Sequence, residues 1–415
     1  MLRIQLSLYG VLPSVADDTR LRWAGIVISL GLSLGMLLSP TLWMSRPEGL
    51  ALVESFPLVP PLPGLEILVL PAPLDAALYA MTLVFCALAA VIPRRAVFVA
   101  LFAACLILAL PDVMRWQPWV YLYAAAIGTL AFVPREVGRE DGSRLLSWIE
   151  PLWVLRILVA SVYLYSGINK LNASFFEERL EGFLAGMPQA ISDGPLATGL
   201  TYTSPFLEVA AGLGLLLGGI RLRHAAILLA ASTNLFVLAA LISSGANMVV
   251  WPWNLAMILL LMILYAGRDE QLAGASRDSP QEGTRADTAA LKRGWRYVYA
   301  GLIVTLFSAM PMLGILGYWP SYLSFALYSQ NTATATVQLE GERVSVTRLA
   351  YEKLGVPAYP SQTVYEAVRE RICEARLDYS RNLGRSVITV YGRPSILDGS
   401  RESRTYTCLQ TLTRR

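Results

Sequence analysis

The chain has 415 residues, of which 55% are hydrophobic and only 15% charged, and its mean hydropathy is positive. That composition excludes an ordinary water-soluble globule and belongs to a polytopic membrane protein. A net charge of +4 without any basic run argues against nucleic acid as a partner, and one His with four scattered Cys gives no CxxC or HExxH spacing for zinc, so no metal site is expected.

The N-terminal stretch MLRIQLSLYGVLPSVADD turns polar too soon to form a cleavable signal, so the first apolar segment is expected to direct insertion. Apolar segments of bilayer length follow near residues 22–43, 74–92, 96–111, 117–134, 151–168, 205–220, 224–243, 251–266 and 296–318, which predicts about nine transmembrane helices. The third, sixth and eighth are short. With the N-terminus cytoplasmic, the inner segments hold Arg3, Arg20, Arg22, Arg94, Arg95, Arg135, Arg139, Arg144, Arg221 and Arg223, while the outer loops hold only Arg46, Arg115, Lys170 and Arg179. The ten Trp fall near span ends: Trp43, Trp116, Trp119, Trp251, Trp253 and Trp319 outside, and Trp23, Trp148, Trp153 and Trp295 inside. The polar stretch 267–295 reads as a cytoplasmic linker.

An odd number of spans sends residues 319–415 to the outer side. There TATATVQLE and RSVITVYG alternate as strands do, and Thr363 with Glu366 forms a capping box opening a helix that runs to about residue 377. The expected architecture is an all-α membrane bundle over 1–318 followed by a small periplasmic α+β module of β-β-α-β-β order. An oxidising compartment permits a disulfide between Cys373 and Cys408, with two buried free thiols as the alternative. Cys86 and Cys105, inside spans, read as packing residues.

Ionisable and amide side chains in apolar segments are costly unless they face protein, water or a partner. They are Asp75, Arg156, Lys170, Glu208, Asn234 and Asn254, with Asp112, Arg115 and Gln117 at the turn between the third and fourth spans. Lys170 stands about 28 Å above Pro151 at helical rise, and Glu208 and Asn254 begin inward spans near the same level. One reading makes Lys170 and Glu208 a structural ion pair, or has Lys170 snorkel to the headgroups. The other makes Lys170 a general base, supported by Glu208, with Arg115, Asn234, Trp251, Trp253 and Asn254 lining a pocket for an amphiphile. Spacing alone leaves both open. His224 lies at the inner end of the seventh span, far from this cluster. Gly31 with Gly35 and Gly214 with Gly218 are small-xxx-small pairs suited to close helix approach. Residues 173–187 are expected to form an amphipathic helix lying on the interface.

The stretch YLYSGINKLN with FFEERLEGF after it resembles the HTTM family, the horizontally transferred transmembrane domain related to vitamin K-dependent gamma-carboxylase. DVMRWQPWVYLY and NMVVWPWNLAM extend the likeness over roughly residues 20–330. In the carboxylase the matching lysine is taken to deprotonate the hydroquinone of vitamin K. The resemblance therefore implies a membrane quinol as substrate or cofactor and a carboxylase- or epoxidase-like role for Lys170. The outer module is much smaller than the region that binds protein substrates there, which argues against protein carboxylation.

Two functions follow: a membrane enzyme activating a lipophilic quinol or lipid with Lys170, or a noncatalytic lipid-binding or scaffold protein presenting its C-terminal module to a protein partner. Either places the chain in a bacterial-type inner membrane, in contact with lipids.

Overall fold

A computed structural model describes residues 17–45, 55–133, 150–178, 181–184, 186–192, 194–266, 298–339, 342–377 and 387–408. Arg46, Arg179, Trp148, Trp295 and the 267–295 linker lie outside the described residues. Seven helices are long and apolar enough to cross a membrane: Asp17–Leu37 (α1), Leu74–Val91 (α2), Pro151–Lys170 (α5), Pro195–Leu217 (α6), Ile220–Ser244 (α7), Met248–Tyr265, whose regular helical part is Trp251–Tyr265 (α8), and Val298–Ile315 (α9). Between them, Arg95–Ala109 (α3) and Pro118–Phe132 (α4) have 15 residues each. At about 1.5 Å per residue these rise roughly 22 Å, short of a hydrocarbon core of about 30 Å. The chain is thus a multi-pass membrane protein with seven helices of spanning length among the described residues, and the expected count of nine is not confirmed.

Proline sets several helix starts. Pro118, Pro151, Pro195 and Pro252 occupy the first turns of α4, α5, α6 and α8, where a missing N–H costs nothing. Pro205 is different. It lies inside α6, which begins ten residues before the expected start at 205, because a membrane helix packed against neighbours accommodates an internal proline.

Glycine decides how closely the helices pack. A Cβ on Gly31 would lie 2.3 Å from the Tyr123 hydroxyl, and one on Gly35 would lie 2.7 Å from the Trp119 ring, so α1 receives the aromatic face of α4. α5 and α6 also meet at backbone contact: a Cβ on Gly167 would stand 2.6 Å from the Pro205 carbonyl, and one on Gly212 would stand 2.6 Å from the Leu164 amide nitrogen. α5 is buried on almost every side, packing also against α1, α4, α8 and α9.

The expected interfacial helix over 173–187 is instead two short pieces, Ala173–Glu178 and Glu181–Leu184, that fold inward. Phe175 and Leu184 are buried with Ala197 of α6 and Ala240 of α7. Phe176 stacks on Tyr202 at 5.5 Å. Four apolar side chains within a dozen residues gain more from a protein groove than from the headgroup layer.

The C-terminal region contains Thr334–Leu339 (β1), Glu342–Ser345 (β2), Val346–Leu354 (α10), Gln362–Leu377 (α11), Ile388–Tyr391 (β3) and Ser403–Tyr406 (β4). The sheet order is β2-β1-β3-β4, antiparallel throughout, with Val337 opposite both Val344 and Ile388. Two helices rather than one separate the hairpins; α10 ends at Gly355, whose φ of +72° suits glycine. The Ser361 hydroxyl, not Thr363, accepts from the Val364 amide at the start of α11, and Glu366 pairs with Arg369. Val364, Val368 and Ile372 recur at helical spacing and bury one face of α11.

Cys373 on α11 and Cys408 beyond β4 form a disulfide across a sequence separation of 35. Cys373→Ser is expected to lower the stability of this region by about 4 kcal/mol through released chain entropy. Faster thermolysin cleavage confined to residues 334–408 checks it, and identical cleavage of both proteins would refute it.

The sheet region does not stand apart from the bundle. Gln117 donates to the Pro357 carbonyl at 3.2 Å, the Tyr359 amide approaches Met114 Sδ at 3.4 Å, and Tyr322 packs edge-on against Tyr359. One buried apolar cluster runs through both.

Candidate functional site

Arg156, Tyr163 and Lys170 are spaced by seven residues and so share one face of α5, each about 10 Å above the last. At the top, Lys170 Nζ lies 2.8 Å from Glu208 Oε1, 2.7 Å from Oε2 and 2.8 Å from Ser166 Oγ one turn earlier. Three oxygens therefore lie within hydrogen-bond reach of Nζ, the two of the carboxylate on one side and the Ser166 hydroxyl on another. Lys170 and Glu208 are each only 6% exposed. The glycine contacts of Gly167 and Gly212 bring the helices close enough for the pair to form.

Below it, Asn234 of α7 donates to the Tyr163 hydroxyl at 2.5 Å and to the Ala230 carbonyl at 2.9 Å. Deeper still, Arg156 donates to the Leu264 carbonyl at 2.7 Å and lies 5.0 Å from the centre of the Trp153 ring and 5.7 Å from that of Tyr265, whose hydroxyl donates to the Arg156 carbonyl. Each polar group on this face of α5 is met by a neighbouring helix, as a low-dielectric interior requires.

The flank of Lys170 carries two residues that sequence reasoning passed over. Asn169 donates to the carbonyls of Tyr165 and Ser324, both at 2.9 Å, and accepts from Asn331 at 3.2 Å. Asn172 donates to the carbonyls of Asn169 and Ser329 and accepts from the Phe175 amide. The segment they hold, 324–331, joins α9 to β1 and contains three non-glycine residues at positive φ, Phe325, Tyr328 and Gln330. Such backbone persists only when its surroundings fix it. Asn169→Ala strips partners from Ser324 and Asn331 and is expected to cost about 2 kcal/mol. Faster amide exchange across 324–331, with α7 unchanged, is the expected reading; unaltered exchange would contradict it.

Of the residues expected to line a pocket, only Asn234 joins the column at the Lys170–Glu208 pair. Arg115 is held elsewhere, donating to the carbonyls of Leu42 and Leu108 at 2.8 and 2.5 Å, with Asp112 at 3.8 Å. Its guanidinium ties the short helix Pro40–Trp43, which follows α1, to the end of α3. Trp251 donates to the Ala246 carbonyl and Asn254 to the Val250 carbonyl, each stabilising the start of α8. Trp253 is buried in the same turn. Two cavities within the bundle have volumes of about 10 Å³, room for roughly one water molecule each. One is apolar, between α1, α3 and α4; the other is bordered by Ser45, Asp75 and Arg115. Neither is lined by Lys170 or Glu208.

The helices that carry Lys170, Glu208 and Asn234, namely α5, α6 and α7, are also the part of the chain with a recognisable relationship. Residues 152–243 match the DoxX family model. DoxX is a membrane-associated family, and the match spans less than a quarter of the chain. No curated protein and no solved structure matches the chain.

The DoxX match overturns the expected HTTM and carboxylase relationship, for which there is no family match, and it falls on the segment YLYSGINKLN that carried that expectation. The physical reason is that the motif is short and has a general use. A lysine in the last turn complements the helix dipole, and flanking small and Asn residues permit close packing and end-capping. In the DoxX region these residues perform those tasks: Gly167 admits α6, Asn172 caps the next segment, and Lys170 is neutralised by Glu208.

Proposed function

We propose that the protein is a noncatalytic membrane scaffold. Its DoxX region forms an ion-paired core within residues 1–318, and the bundle carries the disulfide-linked module of residues 319–415 for a protein partner. The observation that carries this reading is that Lys170 Nζ is held by both oxygens of one buried carboxylate and by Ser166 Oγ. Opening that contact means separating buried, oppositely charged partners. A quinol- or lipid-activating enzyme is the weaker reading, because Glu208 would have to release Lys170 before any substrate proton could be taken.

The module is assigned to the outer, periplasmic side of a bacterial-type inner membrane, with the N-terminus cytoplasmic. Support comes from the Cys373–Cys408 disulfide, which suits an oxidising compartment, and from the arginine-rich inner segments.

The experiment is complementation of a deletion strain with Lys170→Met/Glu208→Leu, which removes both charges together. A scaffold retains full complementation once the doubly substituted protein is shown to insert at normal abundance. An enzyme using Lys170 loses it at the same abundance.

A further inference from the structure

The loop between β3 and β4, residues 392–402, exposes apolar side chains at its tip while its base is fastened to the bundle. Leu397 is 92% exposed and Ile396 beside it is also exposed. The loop is firmly shaped: Ser395 donates through its amide to the Ser400 carbonyl at 2.8 Å, Gly399 donates back to the Ser395 carbonyl at 3.0 Å, and Asp398 accepts from both the amide and the hydroxyl of Ser400. Gly399, at φ +68°, closes the turn. Single exposed apolar side chains need no explanation, but Ile396 and Leu397 stand side by side on a fixed turn.

The fastenings give the tip its level. The Ala173 amide, three residues beyond Lys170, donates to the Ile396 carbonyl at 3.1 Å, and the Ser174 hydroxyl donates to the Gly399 carbonyl at 3.2 Å. On the other side Arg393 donates to the Gly314 carbonyl in the last turn of α9. Ala173 and Gly314 belong to the points where α5 and α9 leave the membrane by the same face. The loop therefore crosses that boundary between two helix ends. The end of α9 beneath it is itself apolar and exposed, with Leu316 at 66% and Tyr318 at 80%.

We propose that the β3–β4 loop is a membrane-interface anchor: Ile396 and Leu397 enter the headgroup and upper acyl region of the bilayer, continuing the lipid-facing surface of α9. The partner is the lipid surface itself. Continuity selects it, since an apolar tip fixed beside lipid-exposed helix ends meets acyl chains before it meets a soluble partner. The anchor pins the sheet region at a second point besides its contacts with Met114 and Gln117. This inference is independent of any role for Lys170.

The test places a nitroxide on Leu397→Cys and, separately, on Ile396→Cys in protein reconstituted into nanodiscs, with Arg348→Cys on the exposed face of α10 as the aqueous reference. Both loop positions are expected to collide several times more often with oxygen than with a water-soluble nickel chelate, whereas Arg348→Cys shows the reverse. Chelate accessibility matching that of Arg348→Cys would overturn the proposal by placing the tip in water. Low accessibility to both reagents would also overturn it, by showing that protein covers the tip. The free cysteines Cys86 and Cys105 are buried in α2 and α3 and do not compete for the label.

Discussion

Lys170→Met is expected to destabilise the bundle by about 3–5 kcal/mol, the cost of leaving one member of a buried ion pair without its partner. Glu208 has both carboxylate oxygens within 2.8 Å of Lys170 Nζ and is 6% exposed, so it has little access to compensating water. Lys170→Met/Glu208→Leu is expected to recover most of that loss, because two apolar side chains fill the space without a charge to solvate. Unfolding of the three proteins in mixed micelles by a common denaturant series measures both numbers. A poised catalytic amine gives a different pattern, in which Lys170→Met is as stable as wild type or more so and the second substitution changes nothing.

The second large effect is expected at the α5–α6 contact. Gly212→Ala sets a methyl group 2.6 Å from the Leu164 nitrogen and 2.8 Å from its Cα, and backbone atoms cannot rotate away. The helices must part. The expected cost is about 2–3 kcal/mol or more of overpacking, and the Lys170–Glu208 geometry is disturbed with it. Gly199→Ala on the same helix is the control, because nothing lies within 4 Å of its added methyl group, and exchanging glycine for alanine in a helix is favourable by about 1 kcal/mol. The two substitutions should shift the thermal midpoint in opposite directions. Equal shifts would mean that α5 and α6 are not held at backbone contact.

These contrasts show what a sequence can reveal of such a chain. Apolar length alone locates the helices, because hydrocarbon imposes it on every spanning segment. It fails at Pro205, which reads as a start yet sits inside α6, and it leaves α3 and α4, of 15 residues each, short of spanning length. Alternation revealed β1 and β3, whereas α10 escaped notice between a hairpin and the prolines at 357 and 360. Lys170 and Glu208 could be matched because two opposite charges in apolar surroundings need each other. Asn169, Asn172 and Arg115 could not. Their partners include the carbonyl groups of Ser324, Ser329 and Leu42, distant in the chain, and a carbonyl belongs to every residue and leaves no trace in composition. The short motif around Lys170 misled for the opposite reason, since its residue types are those any tightly packed helix exit uses.

The central claim is that Lys170 is closed off by Glu208 and Ser166. The chain has lysine only at 170, 292 and 353, so competitive amine labelling of the reconstituted protein can be read peptide by peptide, with Lys353 as the internal reference. The account predicts that Lys170 stays unlabelled at neutral and mildly alkaline pH while Lys353 reacts, and that it labels only after denaturation or in Glu208→Gln. Labelling of Lys170 ahead of Lys353 in the folded wild-type protein at neutral pH would contradict it and return Lys170 to the position of an available base.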